Sequence, residues 1–300
     1  MTYNRYRYLL FIILAVAYIF VYFHRLCAAV VAVDMMEDLQ TGGALMGLLG
    51  SAYFYPYAAM QLPAGLLSDS WGPRRTITLF FIIAGVGSVI QGLAPTVMLA
   101  IAGRTLVGMG VAMLFVPTLK ILSEWFRAGE FAVMTGFLIA MGGVGSLMAT
   151  SPLAYLSNHV GWRASFVLIG MITLVSALSI WLIVRDRPAD AGYTEPGEGP
   201  RPERRVISLR EGVRQVVTHP RFWAISAWFF FSCAVFFSFG GLWGGPYLMQ
   251  VYGLSKSESG SILSMLAIGM IVGSPALSFA SDRIFKARKP VIVTASGISL

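Results

Sequence analysis

Apolar residues in this chain follow neither the 3.6-residue rhythm of a surface helix nor the alternation of a half-buried strand, but collect in long runs. The runs cover residues 8–33, 44–67, 76–94, 97–122, 131–156, 165–184, 222–248 and 261–280. Each is close to or beyond the roughly 20 residues with which a helix crosses the hydrocarbon core of a bilayer. Eight membrane spans are therefore predicted, and the fold class is all-α and membrane-embedded. A ninth run begins at Val291 and reaches Leu300 after ten residues, about half of a ~30 Å core at ~1.5 Å rise per residue. On that count the chain is expected to be C-terminally truncated.

Polar positions form short connections, with one exception. Six runs precede Arg185, where Arg185-Asp186-Arg187-Pro188 opens a stretch rich in Pro, Gly and charge that continues through Glu195-Pro196-Gly197-Glu198-Gly199-Pro200. Such composition predicts a linker. The expected organisation is a six-helix bundle over 1–185, a cytoplasmic linker over 186–218, and an incomplete second bundle over 219–300 with spans seven, eight and the start of nine. Ser208-Leu209-Arg210-Glu211 has the spacing of a capping box, and Leu209, Val213, Val216 and Val217 can form an apolar face apart from Arg210 and Arg214. A short helix on the membrane surface is expected there, with a flexible loop as the alternative.

Composition agrees with the runs: 57% of residues are hydrophobic and 12% charged, with a mean hydropathy of +0.73, whereas a soluble domain carries about a quarter charged residues. The formal net charge of +8 would suggest nucleic acid as a partner in a soluble protein. Its distribution excludes that reading. With the N-terminus placed inside, seventeen Lys and Arg residues fall on inner segments, from Arg5 and Arg7 through Arg74, Arg75 and Arg185 to Lys289, and only Arg163 and Lys256 fall outside. This is the positive-inside bias, and it predicts a cytoplasmic N-terminus and an outer loop at Asp34. Cys27 and Cys233 both lie in apolar runs, so neither a disulfide framework nor a metal pattern is predicted. The first run is too long for a signal peptide, and Arg25 stands where small residues would precede a cleavage site.

Glycine is frequent inside the runs, as at Gly47, Gly50, Gly85, Gly87, Gly108, Gly110, Gly142, Gly143 and Gly145. In lipid such residues let helices approach closely. Pro56, Pro63, Pro117, Pro152 and Pro246 also fall inside runs, where each kinks its helix or frees a carbonyl toward a cavity.

Charge inside the runs is confined to Arg25, Arg104 and Lys120, whereas all fourteen Asp and Glu residues lie at run ends or in loops. An ionisable group at bilayer depth costs on the order of 3 kcal/mol on insertion scales. Deep cations without acids at the same depth favour an anionic solute, and guanidinium suits carboxylate or phosphate. Arg25, far from both ends of its run, is the expected substrate anchor, against a structural role on carbonyls of neighbouring helices. Lys120 lies one turn from Glu124, so an i,i+4 pair or snorkelling competes with a role in the pathway. His24 is read either as a proton carrier or as a hydrogen-bonding neighbour of Arg25. Tyr53, Tyr55, Tyr57 and Gln61 on the second run, and Trp228 and Trp243 on the seventh, are further candidates for a cavity lining.

Between the second and third runs stands Gly65-Leu66-Leu67-Ser68-Asp69-Ser70-Trp71-Gly72-Pro73-Arg74-Arg75, and a degraded copy, Ser278-Phe279-Ala280-Ser281-Asp282-Arg283, occupies the corresponding place in the second half. Recurrence of a charged hairpin at matching positions is the mark of a transporter built by internal duplication. Together with Arg104-Thr105-Leu106-Val107-Gly108-Met109-Gly110 on the fourth run, these motifs resemble the major facilitator superfamily. His24-Arg25 followed by Asp34, and Gly240-Gly241-Leu242-Trp243-Gly244-Gly245-Pro246-Tyr247-Leu248, are most similar to its organic-anion and sugar-phosphate permease branch.

That resemblance implies two six-helix bundles rocking about a central site by alternating access. It implies that Gly65, Asp69, Gly72, Arg74 and Arg75 form a conformational latch, Asp69 pairing with Arg74 or Arg75, with Glu124 a further partner and Asp282 its counterpart. It also implies that Arg104 faces the pathway beside Arg25. The seventh run carries no arginine, unlike relatives with a paired-arginine phosphate clamp, and the fifth has no Gly-Pro doublet of the drug-antiporter kind.

The function expected is ion-coupled transport of a small organic anion across a bacterial inner membrane, with Arg25, His24, Arg104, Lys120, Tyr53, Tyr57, Gln61 and Trp243 as substrate-site candidates. The expected partners are the solute, a proton or sodium ion and the lipid bilayer. No cofactor is expected, since no Walker-type glycine loop occurs, and no enzyme site is formed by any nucleophile, metal cluster or paired acids. The alternatives are a drug or cation exporter of the same fold, and a transport-inactive sensor or non-functional fragment.

Overall fold

A computed structural model describes residues 2–193, 209–239, 244–254, 256–285 and 288–298. Among these residues the secondary structure is helical. The helices of the first 193 residues are α1 (Tyr3–Val30), α2 (Ala32–Asp38), α3 (Gly43–Ser70), α4 (Pro73–Leu93), α5 (Val97–Ala112), α6 (Phe115–Trp125), α7 (Ala128–Met148) and α8 (Ser151–Ile183). They are followed by α9 (Leu209–Val217), α10 (Pro220–Ser238), α11 (Gly244–Tyr252), α12 (Lys256–Phe279) and α13 (Arg288–Ile298). Among the described residues six segments are long and apolar enough to cross a membrane: Tyr3–Ala28, Pro73–Leu93, Val97–Trp125, Ala128–Met148, Pro152–Ile183 and Ser261–Ile284. α3 is as long, at 28 residues, but its sequence is diluted by Gly, Ser, Tyr, Gln and two prolines and it is not among the six.

The helix ends follow local chemistry. The fourth apolar run is not one helix: it breaks after Ala112, and Met113 and Leu114 take only i→i+3 turns onto Gly110 and Val111 before α6 begins. The fifth run was expected to continue to residue 156, but α7 stops at Met148 and a new helix starts at Ser151. Pro152 explains the restart, since its missing N–H costs nothing in the first turn of a helix. Gly161, at φ 82°, then interrupts α8 itself.

The described residues fall into two compact units, Met1–Thr194 with Ala267–Leu300, and Glu195–Leu266. In the first unit α4 packs chiefly on α8 and α5, α3 on α5, and α1 on α7 and α8. The larger of two apolar clusters among the described residues runs through them, with Leu10, Leu14, Tyr53, Phe81, Val107, Leu122, Trp125 and Phe166 fully or almost fully buried, and a smaller one gathers Ala64, Phe80 and Met113. Close approach depends on glycine where it matters most: a Cβ on Gly108 would fall within 2.9 Å of the Tyr53 Cα and closer still to its carbonyl. That contact brings α5 against α3 and sets the Tyr53 side chain opposite α1. In the second unit α9 forms as expected from Leu209, and Val213, Val216 and Val217 are exposed; Ser208 of the expected capping box lies outside the described residues.

Candidate functional site

Tyr18, Tyr22 and Arg25 sit at i, i+4 and i+7 on α1 and so share one face of that helix, whereas His24 is turned away from them by about 100°. The structure follows this geometry. The Arg25 guanidinium lies 4.8 Å from the Tyr22 ring centroid and 4.9 Å from that of Tyr57 on α3. Tyr57 stacks on Tyr53 at 5.7 Å with an interplanar angle of 14°, and the guanidinium of Arg104 on α5 lies 4.8 Å from the Tyr53 ring. Two cations and three tyrosines thus form one continuous stack joining α1, α3 and α5. Cation–π contacts of this kind contribute more where water is excluded, up to about 2 kcal/mol each. Tyr55, on the opposite face of α3, is 74% exposed, and Gln61, one turn beyond Tyr57, is also exposed.

The two arginines differ in what they do. Arg104 is 1% exposed and donates through Nη1 to the His24 carbonyl at 2.6 Å and through Nη2 to the Arg25 carbonyl at 3.3 Å, with the Cys27 sulfur at 3.5 Å. Its fork is engaged with the backbone of α1, so the structure uses it as a clamp between helices and not as a group beside Arg25 in an open pathway. Arg25 is incompletely buried and presents its guanidinium between the Tyr22 and Tyr57 faces.

His24 is fully buried, and its Nε2 lies 3.1 Å from Thr173 Oγ1 on α8. The Thr173 hydroxyl donates its one proton to the Ile169 carbonyl, so it can only accept from His24. The imidazole is therefore the Nε2–H tautomer here, with Nδ1 buried and without a hydrogen-bond partner among the described residues. This histidine faces α8, away from the side chain of Arg25.

The loop motif assembles a second cluster, with partners other than those expected. Asp69 does not pair with Arg74 or Arg75: it takes Lys120 Nζ at 2.7 Å, and Lys120 also donates to the Ser68 carbonyl at 2.8 Å. Lys120 thereby belongs with the loop and not with Arg25, and it reaches α3 in preference to Glu124 one turn on. Arg74 lies over the Trp181 ring at 4.3 Å and donates from Nε and Nη2 to the Trp181 carbonyl. Gly72 has φ 97° and ψ 145°, a conformation open essentially to glycine alone. Immediately after it, the Arg74 N–H donates to Asp186 Oδ1 at 2.7 Å.

Asp186 thus caps the start of α4, a role the sequence concealed by placing it in what reads as a linker. The available signal was an acid set between two arginines at the end of a span, where the surrounding cations invite it inward. Burial pushes the Asp186 carboxyl above the ordinary aspartate range, opposed by the Arg74 N–H and the nearby cations.

The other expected latch residues lie apart. Gly65, on α3, has open space where a Cβ would stand, and Arg75 is exposed. Asp282 sits in a π-helical turn, Ala280–Ile284, with Oδ2 buried and lacking a hydrogen-bond donor among the described residues. Trp243 lies outside the described residues. A further pair, missed in the sequence, joins α1 to α7: Arg7 grips Glu130 bidentately at 2.8 and 3.1 Å.

Helices of membrane-crossing length, a cation–tyrosine stack and a charged loop with a glycine-only turn together define a polytopic helical membrane protein. The family model of the Major Facilitator Superfamily matches residues 12–300, and the chain belongs to that family, which comprises transporters and not enzymes.

It is 23% identical, over 93% of its length and 66% of the relative's, to a probable sulfoacetate transporter of Cupriavidus necator. It is 26% identical, over 90% of its length and 64% of the relative's, to a hexuronate transporter of Bacillus subtilis. A bacterial homolog of the human lysosomal transporter Spinster, crystallised inward-facing and occupied, superposes with a TM-score of 0.59 at 23% identity, covering 93% of this chain and 62% of that one. The chain spans about two thirds of the length of the curated relatives it matches.

Proposed function

We propose that this chain forms the substrate-anchoring part of a secondary transporter for small organic anions that works by alternating access. The observation that carries the reading is Arg25, a cation at bilayer depth held between the faces of Tyr22 and Tyr57, with the Asp and Glu residues of the chain at helix ends and in loops. A guanidinium fixed in this way keeps its planar donor edge directed, which suits carboxylate or sulfonate oxygens. Support comes from relatives whose names specify sulfoacetate and hexuronate, both organic anions. A cation exporter of the same fold would require a carboxylate at the depth of Arg25.

In this reading Tyr57, Tyr53 and Gln61 line the path from Arg25, Trp243 contributes from the seventh span, and Arg104 and His24 hold α1 in place. Asp69, Lys120, Arg74, Arg75, Gly65, Gly72, Glu124 and Asp282 form the latch between states, and a proton or sodium ion drives the cycle. The proposed topology is a cytoplasmic N-terminus in the inner membrane, eight spans and the start of a ninth, with bundles over 1–185 and 219–300 joined by a linker over 186–218.

The test is counterflow in proteoliposomes of the full chain, loaded in turn with a hexuronate, a sulfonated two-carbon acid, a neutral hexose and a lipophilic cation. The reading expects exchange of the acids alone; exchange of the cation and of neither acid would overturn it.

A further inference from the structure

The first unit carries a groove apart from the Arg25 anchor, with Arg75 of the loop motif at its edge. It lies between α4 and α8 at the arginine-rich end and encloses about 620 Å³. Thr78 and Ile82 line it from α4, Leu174, Leu178 and Trp181 from α8, and Arg75 stands at its mouth beside Trp71. Positions 75, 78, 79 and 82 form one stripe of α4, and 174, 178 and 181 one stripe of α8, so the groove runs along the helices for about two turns, roughly 10 Å.

Arg75 forms no ion pair among the described residues, because the nearby acids are engaged elsewhere: Asp69 with Lys120, and Asp186 with the Arg74 amide. Trp71 and Trp181 flank the same end, and tryptophan marks the headgroup level of a bilayer.

We propose that this groove seats an anionic phospholipid of the surrounding leaflet, its phosphate on Arg75 and one acyl chain along Ile82, Leu174 and Leu178. The combination meets both halves of the ligand: an exposed cation flanked by Trp71 and Trp181 at headgroup depth, and an apolar channel directed toward the membrane interior. Basic pockets between spanning helices recognise anionic headgroups in this way. The Arg74 guanidinium, already on the Trp181 carbonyl, holds the indole that forms one wall.

Native mass spectrometry of the full chain released from nanodiscs of phosphatidylcholine doped with phosphatidylglycerol tests the site. The parent protein should retain phosphatidylglycerol preferentially, and Arg75→Gln should reduce that preference about fivefold, the factor one basic residue near an anionic surface is worth. Leu178→Trp, which fills the trough without touching the latch, should reduce retention of both lipids, and Arg5→Gln, an exposed arginine elsewhere on α1, should change nothing. The proposal fails if the parent shows no preference for phosphatidylglycerol, if Arg75→Gln leaves the preference intact, or if Arg5→Gln abolishes it equally. It also fails if inorganic phosphate alone displaces the lipid, which would make the site a free-anion site.

Discussion

Gly72→Ala should be one of the most damaging small substitutions in this chain, and part of its cost should vanish when Asp186 is removed. Two effects add at this position. Alanine would be forced to φ 97°, ψ 145°, which costs on the order of 1–3 kcal/mol. Its Cβ would also stand 2.6 Å from Asp186 Oδ2, so the carboxylate must leave the Arg74 N–H, at about 1 kcal/mol for a lost helix cap. Asp186→Ala alone should cost that same ~1 kcal/mol. In the double variant the cap is already gone and only the backbone strain remains, which predicts a coupling energy of about 1 kcal/mol between sites. Unfolding of the full chain in mixed micelles, measured for the parent, both single variants and the double variant, closes the cycle. Strict additivity, with a coupling energy below about 0.3 kcal/mol, would refute the contact on which the argument rests. Acid titration provides a check with a defined sign. Because burial raises the folded-state pKa of Asp186, its carboxyl binds a proton more tightly folded than unfolded. Its contribution therefore falls as pH rises from the ordinary aspartate range through the raised value, and is flat at neutral pH. Asp186→Asn should remove that slope while keeping an acceptor for the Arg74 N–H.

Arg104→Lys, which keeps charge but loses the fork on two α1 carbonyls and the face of Tyr53, should cost about 1–3 kcal/mol of stability in the same assay; an unchanged midpoint would contradict the clamp. Asp69→Asn breaks a pair whose carboxylate is 73% exposed, so stability should shift by less than about 1 kcal/mol, while transport rate should fall far more than substrate affinity. An unaltered rate would remove Asp69 from the latch. In a background without Cys27 and Cys233, single cysteines at Thr2 and Gln40 should label from opposite sides of intact cells with an impermeant reagent, Gln40 from outside; labelling of Thr2 alone would invert the topology.

Hydropathy revealed the class of the chain because crossing a bilayer requires apolar length, and length is written directly in the runs from residue 8 to 280. It did not reveal where those runs break. The turn at Met113–Leu114 leaves no polar mark, and the one at Ala149–Thr150 is marked only by Thr150, Ser151 and Pro152. Spacing along α1 and α3 sets which side chains share a face, so the grouping of Tyr22 with Arg25 and of Tyr53 with Tyr57 was legible. Partner choice was not legible. Lys120 reaches Asp69 across 51 residues, His24 reaches Thr173 across 149, and Asp186 reaches the Arg74 amide across 112, contacts fixed by packing that no local pattern encodes. Adjacency misled at His24-Arg25, where neighbours in sequence point to different helices.

The proposed recognition of the solute's charge by Arg25 is open to direct test by equilibrium binding to the full chain. For the tightest-binding acid in a panel of hexuronates, sulfonates, dicarboxylates and sugar phosphates, Arg25→Lys should weaken binding by at least tenfold, about 1.4 kcal/mol, because the planar fork and its seat between Tyr22 and Tyr57 are lost. Arg25→Ala should abolish measurable binding while the protein remains folded. An Arg25→Ala protein that binds the acid as tightly as the parent would contradict the account at the residue on which it rests.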